Sequence, residues 1–64
     1  MRNPKRIDII TQKLNKLWHY YPDFRFWQLL SVLEISEDPF YWEETKWEQV
    51  IDEAIRKIEE KNNN

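Results

Sequence analysis

Apolar residues recur every three or four positions in three stretches of the chain, which is the spacing of one face of an α-helix. The stretches cover about residues 4–20, 24–35 and 46–61. A short helical turn is predicted near 39–43, where an aspartate is followed by a proline. The pattern therefore predicts an all-α fold, a compact three-helix domain. The apolar positions of the three faces are Ile7, Ile10, Leu14, Leu17, Trp18 and Tyr21; Phe26, Leu29, Leu30 and Leu33; and Trp47, Val50, Ile51, Ala54, Ile55 and Ile58.

The middle stretch is the most apolar part of the chain. Eight of the twelve residues from Phe24 to Ile35 are apolar, and several of them fall outside the main stripe, so little of the circumference is polar. A helix that is apolar nearly all round is normally buried or covered by partners. The pattern predicts that this helix lies at the centre of the domain, with the other two helices covering it.

Capping residues predict where each helix begins. Asn3 is followed by proline, which combines a capping oxygen with the residue favoured at the first helical position. Pro22 cannot continue the first helix, and Asp23 is then expected to cap the second. Thr45 and Glu48 have the spacing of a capping box, which places the start of the third helix at about residue 46.

The length of 64 residues is that of one small domain, covering residues 1–64, with a frayed tail expected at 62–64. The chain contains no cysteine, so neither a disulfide nor a thiolate metal site supports the core. Ten aromatic residues are expected to compensate, since each can bury about 150–250 Å². No apolar run approaches the roughly 20 residues needed to span a bilayer, and no leader pattern is seen. We expect a cytoplasmic protein without membrane contact.

Charge and aromatic residues are unevenly distributed along the chain. Residues 1–25 carry six basic and two acidic groups, net +4, whereas residues 26–64 carry four basic and ten acidic groups, net −6. Between Glu34 and Glu44, five carboxylates surround three consecutive aromatic residues. An apolar centre with a polar border is typical of a protein interface, in which Trp and Tyr are frequent anchors. The predicted partner-binding site consists of Trp27, Glu37, Asp38, Tyr41, Trp42, Glu43 and Glu44.

A protein partner with a basic surface would complement this site. The alternative interpretation is that the same aromatic rings close the core beneath the third helix.

The sequence lacks the usual equipment of an enzyme. Catalysis requires a positioned nucleophile, an acid–base pair, a metal or a cofactor cradle. No glycine is present for a phosphate-binding loop, and the single histidine, His19, has neither a metal-ligand nor a triad pattern around it. We therefore expect no enzymatic activity, no metal and no cofactor.

Four short motifs resemble a known family pattern. They are R-x-P-x-R-I at residues 2–7, LW at 17–18, PDFRFWQLL at 22–30 and DPFY at 38–41. Together they resemble the YihD-like group, which comprises small helical proteins of unknown function in bacteria and their phages. The resemblance covers about residues 2–44. It implies a small helical fold and a bacterial or phage setting, and it implies no particular activity.

The leading hypothesis for function is a small protein-binding module, for example a phage-encoded modulator or inhibitor of a bacterial protein. The first alternative is nucleic-acid binding, because Lys5, Lys13 and Lys16 form a basic strip opposite the apolar face of the first helix. The negative net charge and the apolar second helix disfavour nucleic acid. The second alternative is self-association as a homodimer through apolar surface that two covering helices leave exposed.

Overall fold

A computed structural model describes residues 2–62 and shows three helices: α1 at Lys5–Tyr20, α2 at Phe26–Ser31 and α3 at Glu44–Asn62. The predicted all-α fold is confirmed. No strand occurs among the described residues. The predicted frayed tail at 62–64 lies outside the described residues except for Asn62, which is the last residue of α3.

α1 begins where its sequence signals predict. The side-chain oxygen Oδ1 of Asn3 accepts a hydrogen bond from the backbone N–H of Lys5 at 3.0 Å. This is the capping geometry expected when Pro4 takes the first helical position. The helix ends at Tyr20, and the N–H of Tyr21 donates to the carbonyl of Trp18 at 2.9 Å.

The connection after α1 is a tight turn, and the predicted cap at Asp23 is wrong. The N–H of Phe24 donates to the carbonyl of Tyr21 at 3.0 Å, so Pro22 and Asp23 are the two central residues of a four-residue turn. Proline is favoured at the first of these central positions because its φ angle is already correct. α2 therefore starts later, after Arg25, whose N–H donates to the side-chain Oε1 of Gln28 at 2.8 Å.

α2 contains six residues, so the prediction of a helix over 24–35 is wrong in its bounds. Its last turn tightens through hydrogen bonds from the N–H groups of Val32 and Leu33 to carbonyls three residues earlier, both at 3.1 Å. Glu34 then adopts a left-handed backbone with φ of 54°. This conformation ends helices and is normally occupied by glycine. In a chain without glycine, another residue has to adopt it.

The expected central position of the middle helix is not observed, because only one face of α2 is covered. Leu29 is fully buried, whereas Phe26 is 50% exposed and Trp27 is 80% exposed. The domain is instead built on the pair α1 and α3.

α3 begins two residues earlier than predicted, and Thr45 does not cap it. The carbonyl of Glu43 accepts hydrogen bonds from the N–H groups of Lys46 and Trp47 at 3.0 and 3.3 Å. The helix is therefore already formed at Glu44, and Thr45 lies within its first turn. An acidic residue in this turn is favoured by the helix dipole, and Glu44 also pairs with Arg2 at 3.6 Å.

Interhelical polar contacts show that α1 and α3 are parallel. Arg6 pairs with Glu44, the Nζ of Lys13 lies 2.7 Å from Oδ1 of Asp52, and the hydroxyl of Tyr20 donates to Glu59 at 2.8 Å. The partner on α3 moves forward in the sequence as the residue on α1 does. Residues 21–43, which include α2, therefore return the chain to the end of the domain at which α1 begins.

One core joins the three helices. Its buried residues come from α1, from α2 and the turn that follows it, and from α3. The apolar positions predicted from spacing supply most of this core and of the partly buried shell around it. The buried residues are Leu17, Leu29, Leu33, Ile51 and Ile55; the shell contains Ile10, Leu14, Trp18, Tyr21, Leu30, Ile35, Trp47, Val50, Ala54 and Ile58.

Candidate functional site

Two of the three most exposed large apolar side chains among the described residues lie on the loop between α2 and α3, and the third is Trp27 on α2. We call residues 36–42 the aromatic loop. Within it, Phe40 is 77% exposed and Tyr41 is 89% exposed. Their rings contact each other edge to face, with centroids 4.9 Å apart. The two rings therefore form a pair that faces solvent.

Local hydrogen bonds define the shape of the aromatic loop. The carboxylate of Asp38 accepts a hydrogen bond from the N–H of Phe40 at 3.0 Å, and the N–H of Trp42 donates to the carbonyl of Pro39 at 3.0 Å. The second bond closes a single turn at 39–42, within the segment where a short helical turn is predicted. Such side-chain and backbone bonds are the usual means by which Asp and Pro set a turn.

Trp42 anchors the aromatic loop to α3. Its ring lies edge to face on the ring of Trp47 with a centroid distance of 5.1 Å, and Trp47 packs against the core. The Nζ of Lys46 lies 5.2 Å from the centroid of the Trp42 ring, within the range of a cation–π contact. Trp42 is half-buried, so it supports the exposed pair rather than belonging to it.

The acidic residues near the aromatic loop divide into two groups. Glu43 lies 3.0 Å from Arg2, and Glu44 pairs with both Arg2 and Arg6, so these two carboxylates connect the start of α3 to the start of α1. Glu37 and Asp38 are exposed on the loop itself. Both groups flank the exposed aromatic pair in the sequence, but of these four carboxylates only those of Glu37 and Asp38 are absent from the ion pairs of residues 2–62.

Trp27 is exposed on α2, away from the loop in the sequence. Its neighbour Phe26 packs on Trp18 with a centroid distance of 5.6 Å, which turns that part of α2 toward α1. None of the ring contacts within residues 2–62 joins Trp27 to the aromatic loop. Of the seven predicted site residues, the loop itself contains Glu37, Asp38, Tyr41 and Trp42.

Phe40 is the site residue that the sequence-based prediction missed. Its place between Pro39 and Tyr41 could have indicated exposure, because the tip of a short turn has little room for burial.

An apolar groove of about 340 Å³ lies beside α1, between the end of α2 and the start of α3, and is lined mainly by aliphatic side chains and Trp47. In the part of the chain that the structure describes, no group of three His, Cys, Asp or Glu side chains is arranged to hold a metal ion. None of the helices in residues 2–62 has the length and apolar character needed to cross a membrane.

A polar cluster closes the far end of the α1–α3 seam. The hydrogen bond from Tyr20 to Glu59 raises the pKa of the tyrosine hydroxyl and lowers the pKa of the carboxyl group. Lys16, whose Nζ lies 3.4 Å from Glu59, contributes to the lower pKa of this carboxyl group. These groups connect two helices at the surface, and their arrangement is that of a structural contact.

Comparisons with protein-family models, curated proteins and solved structures gave no match. The resemblance to the YihD-like group therefore stays a prediction from sequence motifs.

Proposed function

We propose that the protein is a non-catalytic protein-binding module that contacts its partner through the aromatic loop. The observation that carries this proposal is the exposure of Phe40 and Tyr41 on an anchored turn. With about 150–250 Å² per aromatic side chain, these exposed fractions correspond to roughly 250–400 Å² of surface. A standard interface buries about 800 Å² per partner. Two rings could thus supply the apolar centre of an interface.

The form of the aromatic loop favours binding over a purely structural role. Exposed apolar patches of a few hundred Å² often mark interaction sites. Aromatic anchors also lose little side-chain entropy when they are bound, because each has only two rotatable side-chain bonds. The bonds made by Asp38, Pro39 and Trp42 reduce that cost further by holding the loop before binding.

The charges of α1 favour a protein partner over nucleic acid. Lys13 and Lys16, two of the three lysines in the basic strip, pair with Asp52 and Glu59 of α3 at 2.7 and 3.4 Å. A phosphate group would have to compete with carboxylates that already neutralise them. The motif resemblance adds the expectation of a bacterial or phage setting and no activity. Modulation or inhibition of a cytoplasmic bacterial protein is our hypothesis for the action of the module in that setting.

The test is capture of partners from a bacterial lysate, quantified by mass spectrometry. The immobilised protein is compared with a variant that carries Phe40→Ser and Tyr41→Ser. Ile9→Ser is the matched control, since Ile9 is also an exposed apolar residue but lies on α1. We expect a specific partner that the wild type and the control retain and that the double variant loses at least about tenfold.

Circular dichroism of the three proteins is the check that each is folded, and we expect the same helical signal from all of them. If the double variant retains the same proteins as the wild type, the aromatic loop is not the binding site.

A further inference from the structure

The charges around the aromatic loop indicate the chemistry of its partner. Resting on the proposed function, we infer that Phe40 and Tyr41 insert into an apolar pocket bordered by lysine and arginine on another protein. In this arrangement Glu37 and Asp38 contact the basic border. The site is the exposed aromatic pair, and the two carboxylates select which apolar pocket it enters.

The first observation is the separation of charge along the chain. The twenty residues from Phe26 to Thr45 contain five carboxylates and no lysine, arginine or histidine. Any neutralisation of these carboxylates within the molecule must therefore come from other parts of the chain. Glu43 and Glu44 pair with arginines outside this segment, and Lys46 lies over the ring of Trp42. The unpaired negative charge beside the aromatic pair is therefore that of Glu37 and Asp38. An aromatic pair beside such charge is disfavoured at an acidic or anionic surface and favoured at a basic one.

The second observation is which carboxylates already form ion pairs or hydrogen bonds within the chain. Glu43 and Glu44 are taken by Arg2 and Arg6, as the ion pairs at the start of α3 show. Asp38 uses one carboxylate oxygen for the N–H of Phe40, which leaves its second oxygen for a partner. Glu37 is exposed on the same loop and is absent from the ion pairs of residues 2–62.

A different protein fits this site better than a second copy of the chain. Half of the ten basic residues already pair with the chain's own carboxylates. These five residues are Arg2, Arg6, Lys13, Lys16 and Arg56. The apolar groove beside α1 has Arg6 as the one cation in its lining, and Arg6 already pairs with Glu44. A second copy would have to break that pair to border this groove with a free cation, whereas a partner with free lysines or arginines would not.

The experiment is an NMR titration of the folded protein with two synthetic amphipathic helical peptides of equal length. One peptide consists of leucine and lysine, and the other of leucine and glutamate. We expect the lysine peptide to shift the amide signals of residues 37–41 most strongly. Raising the salt concentration above about 0.1 M should weaken this binding, because the contacts are at the surface.

Charge variants test the role assigned to each carboxylate. The double variant Glu37→Gln, Asp38→Asn keeps the acceptor that holds the N–H of Phe40 and removes both free charges. We expect it to bind the lysine peptide about three- to tenfold more weakly. Glu43→Gln is the matched control. Because Glu43 is already paired with Arg2, the affinity of this variant for the lysine peptide should change by less than about twofold.

Three results would overturn the inference: equal binding of both peptides at the loop, shifts centred on the acids of α3, or equal losses of affinity for the Glu37→Gln, Asp38→Asn variant and the Glu43→Gln variant. These results are distinct from failure of the proposed function. If the lysate partner depends on Phe40 and Tyr41 but not on Glu37 and Asp38 or on salt, the module binds through its rings and only its preference for a basic partner is wrong.

Discussion

Tyr41 and Trp42 are neighbours in the sequence but occupy opposite environments. Tyr41 is 89% exposed, whereas Trp42 rests against Trp47 with its ring centroid 5.1 Å away. The turn that begins at Pro39 produces this difference, because it directs successive side chains to different sides. Composition cannot distinguish the two rings, since both are large and aromatic, and only the direction imposed by the turn separates them.

The first prediction concerns these two residues. Trp42→Ala should destabilise the domain by about 1–3 kcal/mol, because it removes a half-buried ring that ties the aromatic loop to α3. Tyr41→Ala should change the free energy of unfolding by less than about 0.5 kcal/mol, as is usual at an exposed position. Urea denaturation of both variants measures the difference. Equal losses would show that Tyr41 is packed against the domain.

The second prediction concerns the cap of α1. Asn3→Ala should lower the free energy of unfolding by about 0.5–2 kcal/mol, because the N–H of Lys5 loses its side-chain acceptor. Asp23→Ala and Thr45→Ala are the controls, since neither residue caps a helix here, and each should cost less than about 0.5 kcal/mol. Thermal denaturation compares the three variants. A larger loss at Thr45 than at Asn3 would contradict the assigned helix starts.

At the level of the elements, the two long helices follow from apolar spacing, whereas the short one does not. α1 and α3 each have an apolar stripe long enough to define a face, and their observed bounds lie within two residues of the predicted ones. In α2 the apolar residues of the following turn, such as Val32 and Ile35, extend the same pattern past the true end at Ser31. The end is set by the left-handed backbone of Glu34, for which the sequence offers no glycine as a signal.

The parallel arrangement of α1 and α3 also could not be predicted from spacing. Short connections favour antiparallel neighbours, and residues 21–43 contain a helix that interrupts the link. The polar pairs along the seam specify the arrangement, and each joins a basic or hydroxyl group of α1 to an acid of α3. In the sequence alone, these residues cannot be distinguished from ordinary solvated side chains, because the pairs form only when the two helices lie side by side.

The third prediction uses pH to test one of these pairs. Tyr20 donates a hydrogen bond to Glu59, which lowers the pKa of the carboxyl group and raises that of the hydroxyl. Because the folded-state pKa of Glu59 is lowered, its contribution to stability is present above the ordinary value of 4.5 and is lost as pH falls through the folded-state value. Because the pKa of Tyr20 is raised, its contribution is present below the ordinary value of 10.0 and is lost as pH rises through the raised value.

Tyr20→Phe removes the hydrogen bond and its pH dependence together. The variant should therefore be less stable than the wild type between the two ordinary pKa values, and the difference should shrink on the acidic and the alkaline side of that window. Urea denaturation at about pH 3 and about pH 7 measures the acidic side. A difference that stays constant over this range would show that the bond does not form in solution.

For the whole molecule, the predicted partner site illustrates what the sequence alone can establish. The acidic and aromatic composition of residues 34–44 indicated a segment in which Tyr41 is exposed and Trp42 is half-buried, and the binding role of this segment stays a prediction. Composition alone could not show that the carboxylates of this segment differ in their roles. Arg2 and Arg6 are about forty positions away in the chain, and only the fold brings them to Glu43 and Glu44.

The last prediction rests on the single core that holds the whole domain together. Leu17 is fully buried at the junction of residues from α1, α2 and α3, so its truncation removes contacts to every element. Leu17→Ala should cost about 2–5 kcal/mol, the range for leucine in a closed core. A chain of 64 residues has a total stability of only about 3–10 kcal/mol. The variant is therefore expected to be largely unfolded, or to lose a major part of its stability in one cooperative transition.

Leu30→Ala is the matched control for this prediction, because it makes the same chemical change beside the same core. Leu30 is partly buried and lines the open groove next to α1, so its truncation leaves no closed cavity and should cost clearly less. Thermal unfolding followed by circular dichroism at the helical signal compares the two variants with the wild type. If Leu17→Ala were no more harmful than Leu30→Ala, the three helices would not share one core, and the packing of α2 on the parallel pair would have to be different.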